Sequence, residues 1–581
     1  NVVATWAARA AHLARSEVED VIDAVERITR IGKRKLAGAL NEARANLARQ
    51  RAKREFERVQ AGRERIEVEA GEVGTMSQRA ESAVVARVPS GGFLSFSGAP
   101  VKVEVDTLPC THLIDDQDVA PPPVLQLKPF NESSMRTTIE RAAIFMSRDA
   151  RGHEKREDVP ANVIKNVLVN PSPHVPRVTG LISHPVVLPT GEIVAVDGLH
   201  AKTGLFLHGA AMGGLRPYTQ AEAAAALARL RVVLFGEFEF ASELDGDIAI
   251  AGLFTGFGRR LMPSAPGLAV LASRQSSGKT TLARMIHVAL TGHDMPVTTL
   301  SESSEELKKH LLAMLLRSPE MVCIDNVADG LTFRSATLAS IMTSSSYRDR
   351  RLGVSEEVDV RTETLWVITG NNLQLGADEI TRWMVCRLEP KTSRPEEREF
   401  RNGDVVGAVR RARVQIIRDI VGIVAGYLAS GARVGDGKST RFKEWDRLVR
   451  LPIIWAGGAD VTEVFRQNRE QSPDEMSKVG VLSAIRDLVG DDEFYAPDVV
   501  SWLGGTTPGS GLDMPSAAQE DAMARLKTAM SEQRLKDTRA TKSVGRALAG
   551  MANTTVEADG VFLTLRSRVV RGAKRFQVEV G

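Results

Sequence analysis

At 581 residues, 43% hydrophobic and 26% charged, the chain is too long for one hydrophobic core and too apolar for a disordered or collagen-like polymer; ~100–200 residues per domain predicts about three to five units. Its 76 Lys and Arg nearly cancel 73 Asp and Glu, leaving +3, so a polyanionic partner would have to be recognised by local charge. Aromatics at 5% disfavour an extended stacking platform, and three scattered cysteines, Cys110, Cys323 and Cys386, exclude a disulfide framework and fit a reducing compartment.

Residues 1–72 read as a helical N-terminal arm or collar, rich in Ala, Glu and Arg and without Pro. Within it, residues 27–65 carry thirteen Lys and Arg against four Asp and Glu. That charge suits either a solvated, subunit-packing helix or an arm facing nucleic acid. The chain opens on Asn1 and has no signal-peptide pattern, which leads us to expect the natural N-terminus further upstream. Residues 73–215 read as a mixed α+β accessory domain, with a helix near 135–148 and short strands at Gly180-Leu181-Ile182, Pro185-Val186-Val187-Leu188 and Thr203-Gly204-Leu205-Phe206-Leu207. Residues 216–400 alternate helical patterns with apolar runs, an α/β pattern. Residues 401–485 read as a helical region, and 486–581 as three helices followed by two strands, the order of a winged helix. No apolar run approaches the ~18–20 residues needed to span a bilayer, so no membrane association is expected.

The chemistry concentrates in the α/β region. Gly267-Leu268-Ala269-Val270-Leu271-Ala272 reads as a buried strand, Ser273-Arg274-Gln275-Ser276-Ser277-Gly278-Lys279-Thr280 as a small-residue loop, and the residues from Thr281 onward as a helix. This is the context in which a phosphate-binding loop works. Backbone N–H groups of Ser276, Ser277, Gly278, Lys279, Thr280 and Thr281 would face phosphates at a helix start. Lys279 would add a point charge and Thr280 a hydroxyl for Mg²⁺. Ser273 stands where the motif's first glycine is expected, so the turn should differ. Met321-Val322-Cys323-Ile324-Asp325 would deliver Asp325 to the end of a buried parallel strand, beside the loop, to hold Mg²⁺. Leu365-Trp366-Val367-Ile368-Thr369-Gly370-Asn371-Asn372 would do the same for Asn371, a residue able to orient the attacking water or sense the γ-phosphate. Lys279, Asp325 and Asn371 are spaced 46 residues apart, room for a helical crossover each time.

Taken together, these stretches resemble the AAA+ ATPase core of superfamily 3-like replicative DNA helicases, of the phage and mobile-element primase-helicase kind. The likeness is carried by Ser277-Gly278-Lys279-Thr280, Ile324-Asp325-Asn326-Val327, residues 338–343, Asp349-Arg350-Arg351-Leu352-Gly353, Thr369-Gly370-Asn371-Asn372-Leu373, Thr381-Arg382 and Arg394-Pro395-Glu396-Glu397-Arg398. It spans roughly 150–460, including Asp197-Gly198 and Lys202-Thr203-Gly204-Leu205, and more loosely the helical N-terminal arm.

The resemblance implies an ATP- and Mg²⁺-dependent motor assembled as a homo-hexameric ring on single-stranded or forked DNA, in the cytoplasm or nucleoid of a bacterial host. It leaves room for a primase or polymerase domain upstream of Asn1. Lys279 and Thr280 match the Walker A lysine and hydroxyl, Asp325 the Walker B aspartate and Asn371 the sensor asparagine. Arg382 matches the arginine that reaches a neighbour's nucleotide, with Arg350 as a second candidate for that role or for DNA. Asn326 stands where many AAA+ proteins carry a catalytic Glu, so Glu305, from Ser301-Glu302-Ser303-Ser304-Glu305-Glu306, is the replacement expected. Thr381 replaces a further arginine.

DNA phosphates would be met by Arg348 and Arg351, on a hairpin expected between the Asp325 and Asn371 strands, unless these arginines pair with Glu356 and Glu357. In the C-terminal domain Lys542 and Arg546 sit on the candidate recognition helix, with Arg568 and Lys574 on the wing, although winged helices also dock proteins. Two other readings stay open: an AAA+ protein remodeller or defence ATPase, and an ATP-switched origin-binding initiator.

Overall fold

The computed structural model describes the chain except for residues 1, 13–14, 61, 107–121, 297, 299–303, 328–331, 351–356, 377–378, 392–399, 401–402, 471–472, 509–514, 533–538, 559 and 571. It is a mixed α/β molecule in two compact units. The first comprises residues 1–89, 98–100 and 129–175; the second comprises 90–97, 101–128 and 176–581. No helix among the described residues is long and apolar enough to cross a membrane.

In the first unit, helices Val2–Ala10, Arg15–Thr29 and Lys33–Gln60 share a small core around Ala10, Ile22, Leu36 and Leu40. The arm is not helical throughout, because Glu64–Glu67 is a strand parallel to Ala143–Arg148. The helix expected near 135–148 is shorter: Glu132–Ala142, capped by Asn131, whose side chain accepts the Ser134 N–H at 2.8 Å. The apolar residues that follow it, Ala143, Ile144 and Phe145, are buried as a strand. β-branched and aromatic side chains fit that pleated surface better than a helix end.

The second unit is organised by a four-stranded parallel sheet. Its order is Met321–Val327, Leu365–Asn371, Gly267–Ala272, Trp383–Leu388. All residues of Gly267–Ala272 and Leu365–Asn371 are buried, as expected when both faces of a parallel sheet are covered. Gly267 is required by close approach, since a Cβ there would lie 2.6 Å from the Trp383 ring. Helices Glu243–Gly258, Lys279–Thr291 and Val405–Ser430 join the same core. Both sheet edges are extended by short pairings: Phe240 bridges Leu388, and Thr298 bridges Ile324.

Beneath the N-terminal end of the Met321–Val327 strand lies a buried polar cluster. His184 Nε2 pairs with Glu320 Oε2 at 3.0 Å. Arg413 donates to the carbonyls of Ala289 at 3.1 Å and Leu290 at 2.6 Å, closing the end of the Lys279–Thr291 helix, where carbonyls lack helical partners. Burial alone would push the Glu320 carboxyl up, but the His184 hydrogen bond, with Arg260 and Arg413 near, holds it below its ordinary range. Burial pulls the Arg413 guanidinium down to about 10 despite Glu320.

The hairpin between the second and third sequence strands is present, as Ser346–Arg350 against Glu357–Arg361. At the C-terminus, helices Ala496–Leu503, Ala517–Glu532 and Thr541–Met551 precede three antiparallel strands, Thr555–Ala558, Val561–Val570 and Ala573–Val580. They share a core around Phe494, Trp502, Val544 and Phe576. The two strands read from sequence are longer than their apolar stretches and have a third partner. Their basic halves are exposed ribbon held by backbone pairing to Val570↔Ala573.

Candidate functional site

The Ser273–Gly278 loop leaves the C-terminal end of the Gly267–Ala272 strand and enters the Lys279–Thr291 helix. Its left-handed positions are Ser276 (φ 57°) and Gly278 (φ 88°), not Ser273. The serine standing for the first glycine is therefore free of left-handed strain, and the sharp turn falls at the helix entrance. A Cβ at Gly278 would also lie 3.0 Å from the Phe238 ring. Ser273 to Ser276 are exposed, while the Ser277 hydroxyl turns inward and donates to the Arg274 carbonyl at 2.6 Å. Thr281 follows, half-buried, on the first helical turn.

Lys279 is 8% exposed. Its Nζ donates to Asn371 Oδ1 at 2.6 Å and to the Arg274 carbonyl at 3.2 Å. Thr280 Oγ1 donates to Asp325 Oδ1 at 2.9 Å. Three segments 46 residues apart thus meet at one sheet end. A fourth residue, Thr369, donates to the same Asp325 oxygen at 2.6 Å and accepts the Asn326 N–H at 2.9 Å. Sequence reading missed this role, although Thr369 lies two residues before Asn371 and so shares its face of the strand. Asn326 itself is left-handed (φ 55°), at an irregularity where pairing with the Asn371 strand breaks between Ile324 and Val327. Burial, with Asp325 nearby, pushes the Cys323 thiol far up, so it stays protonated.

Arg382 lies elsewhere. It precedes the Trp383–Leu388 strand, and its carbonyl accepts the Gly267 N–H at 2.9 Å, at the sheet end opposite the loop. Gly267 pairs with Trp383 and Ala272 with Leu388, so about five strand steps, roughly 17 Å, separate it from the loop's start. Arg382 is thus out of reach of Lys279 in its own chain. The Glu305 backbone lies in helix Ser304–Leu315, but its side chain is outside the described residues.

On the hairpin, Arg348 and Arg350 alternate outward with Tyr347 and Asp349 turned in. Tyr347 Oη donates to Asp349 Oδ2 at 2.7 Å. Among the described residues Arg348 pairs with Asp359, at 3.5 Å. Arg351 and Glu356 lie outside the described residues. In the C-terminal region Lys542 and Arg546 are exposed on helix Thr541–Met551. Arg568 is engaged by Glu493, and Arg575 meets Glu493 at 2.9 Å. Lys574 lies 5.7 Å over the Phe576 ring.

A cavity of about 410 Å³ opens beside the loop's first residue, lined among others by Ser273, Asn372, Gln374, Arg387 and Asn468. Among the described residues no cluster of three His, Cys, Asp or Glu could hold a metal. A cation here would instead use Thr280 and Asp325 oxygens together with those of its ligand.

No protein-family model matches the chain, and no curated protein matches it. Among solved structures, the C-terminal region of NrS-1, in its apo A form, aligns with 78% of this chain and 100% of that one, at 12% identity and a TM-score of 0.33. A likeness that low does not establish a shared fold.

Proposed function

We propose that this chain is an ATP-driven DNA helicase of the AAA+, superfamily 3-like kind, working as a homo-hexameric ring in the replication of a phage or mobile element. The observation that carries the reading is the convergence of Lys279, Thr280, Asp325 and Asn371 within two short hydrogen bonds at the end of a parallel sheet. Ligands of open α/β sheets bind beyond these strand ends.

The residues fit a magnesium–nucleotide pair. The Thr280 hydroxyl and the Asp325 carboxylate provide hard oxygens on two side chains already joined by a hydrogen bond, and Mg²⁺ commonly takes one or two protein oxygens with the remainder from phosphates and water. Bound there, it would offset phosphate charge. Backbone N–H groups at the start of the Lys279–Thr291 helix would hold the phosphates. Lys279 would exchange its Asn371 partner for the β- and γ-phosphates, freeing the Asn371 amide to orient water. Arg382, out of reach in its own chain, would complete the neighbour's site and stabilise the charge of the transition state. The hairpin carrying Arg348 and Arg350 joins the Asp325 and Asn371 sides of this site, so a change there would move its exposed guanidiniums along a DNA backbone. Interactions of that kind grip phosphates without reading bases.

The test is ATPase rate with and without single-stranded DNA, alongside strand displacement on a forked duplex. Both DNA stimulation and unwinding are expected, and both should vanish in Lys279→Ala. ATP hydrolysis indifferent to DNA would favour a remodeller. Tight site-specific binding with little unwinding would favour an initiator.

A further inference from the structure

We propose that Thr369 is a positioning residue that sets which oxygen of Asp325 faces the cation, an inference that rests on the reading above. Thr369 is 1% exposed, so its hydroxyl is not a solvent group. A hydroxyl has one proton to give and lone pairs to receive with, and both are used. The proton goes to Asp325 Oδ1 at 2.6 Å, and a lone pair takes the Asn326 N–H at 2.9 Å. The same carboxylate oxygen receives Thr280 Oγ1 at 2.9 Å. Two donors on Oδ1 fix the rotation of the carboxylate. Among the described residues no donor reaches Oδ2, which leaves that oxygen to face an ion or its water.

The hydroxyl also answers a backbone need. At the irregularity after Ile324, the Asn326 N–H leaves the strand ladder and turns to a side-chain acceptor instead. Thr369 accepts it, so the left-handed turn that follows Asp325 is held by the group that holds its side chain. Thr369 and Asn371 project from the same strand face. One strand therefore delivers a hydroxyl to Asp325 and an amide to Lys279, and a displacement of that strand would disturb the cation and phosphate sides together.

The test compares Thr369→Val, nearly the same shape without the hydroxyl, with Thr369→Ser, which keeps it. Mn²⁺ binding is followed by electron paramagnetic resonance in the presence of a non-hydrolysable ATP analogue, and analogue binding is measured separately in EDTA. Losing a group that orients a metal ligand typically weakens metal affinity about 10–100-fold, and that loss is expected for Val with metal-free analogue binding unchanged. Ser should restore affinity to within about threefold of wild type, well inside that range. If the Val chain fails to fold, Thr369→Ala takes its place with the same expectations. Wild-type Mn²⁺ affinity in the hydroxyl-free chain would overturn the proposal, and so would a Ser variant as weak as Val. Failure of the nucleotide-site reading looks different: Lys279→Ala would then bind the analogue as wild type does.

Discussion

The ammonium of Lys279 and the side-chain oxygen of Asn371 lie 2.6 Å apart, so the cation at the loop is held by the neighbouring strand. If Asn371 both parks Lys279 and later orients water, its loss should affect turnover more than binding. Lys279→Ala should show no detectable ATP hydrolysis. Asn371→Ala should lower kcat by ~10²–10³, the usual cost of removing one preorganised polar group, with KM for ATP within a few-fold of wild type. Steady-state kinetics at saturating Mg²⁺ checks both.

Arg382 sits at the far end of the sheet from the loop, so under the proposed reading it would act on the site of another chain. Arg382→Ala should bind nucleotide nearly normally and lose ~10³ or more in turnover, the scale seen for arginines supplied to a phosphoryl-transfer site. Co-assembly with Lys279→Ala should restore partial activity, because mixed interfaces would pair an intact loop with an intact arginine. Absence of rescue, or normal turnover by Arg382→Ala alone, would remove the intersubunit role.

Arg348 and Arg350 point outward from the hairpin. Replacing each by Ala should weaken DNA binding about equally across sequences. It should also reduce the magnitude of the log K versus log salt slope by ~1 for each phosphate no longer neutralised. The weak ion pair with Asp359, 3.5 Å and exposed on both sides, should contribute little to folding, so thermal stability should hardly move. Titrations at several salt concentrations decide this; an unaltered slope takes the hairpin off the DNA path.

Glu320 is held ionised beside His184 with Arg260 and Arg413 near. Its folded carboxyl lies below the unfolded value, so its stabilisation is fully present above the unfolded carboxylate range and is lost as pH falls through the lower folded one. Glu320→Gln leaves buried guanidiniums without their counter-charge, which typically costs ~3–5 kcal/mol. Denaturant unfolding should therefore show the largest gap from wild type above pH ~5, shrinking toward pH ~3. A gap independent of pH would mean that packing, rather than charge, is what the glutamate supplies.

The central strands were legible because a strand covered on both faces is written as an uninterrupted apolar run, and those at Leu268, Cys323 and Val367 are bounded by polar loop residues. Their polar ends then located Lys279, Asp325 and Asn371. The strand Glu64–Glu67 was not legible, since only Ile66 of its four residues is buried and charge dominates its composition. Thr369 was read merely as part of a motif. Its role depends on the Asn326 N–H being released by an irregularity in pairing, and pairing between strands some forty residues apart leaves no local mark. The C-terminal ribbon was underestimated for a related reason: Arg566 and Arg568 face outward from a strand paired along its whole length by its backbone, with few apolar side chains to mark it.

The first compact unit is stitched from residues on either side of an excursion, and its strand Glu64–Glu67 lies against Ala143–Arg148. Deleting everything before residue 73 or 90 would therefore not yield a trimmed protein. It would strip one side from a strand whose Ile144 and Phe145 are buried, creating a sticky edge prone to aggregation. A shortened chain intended for biochemistry should end its deletion before the strand begins.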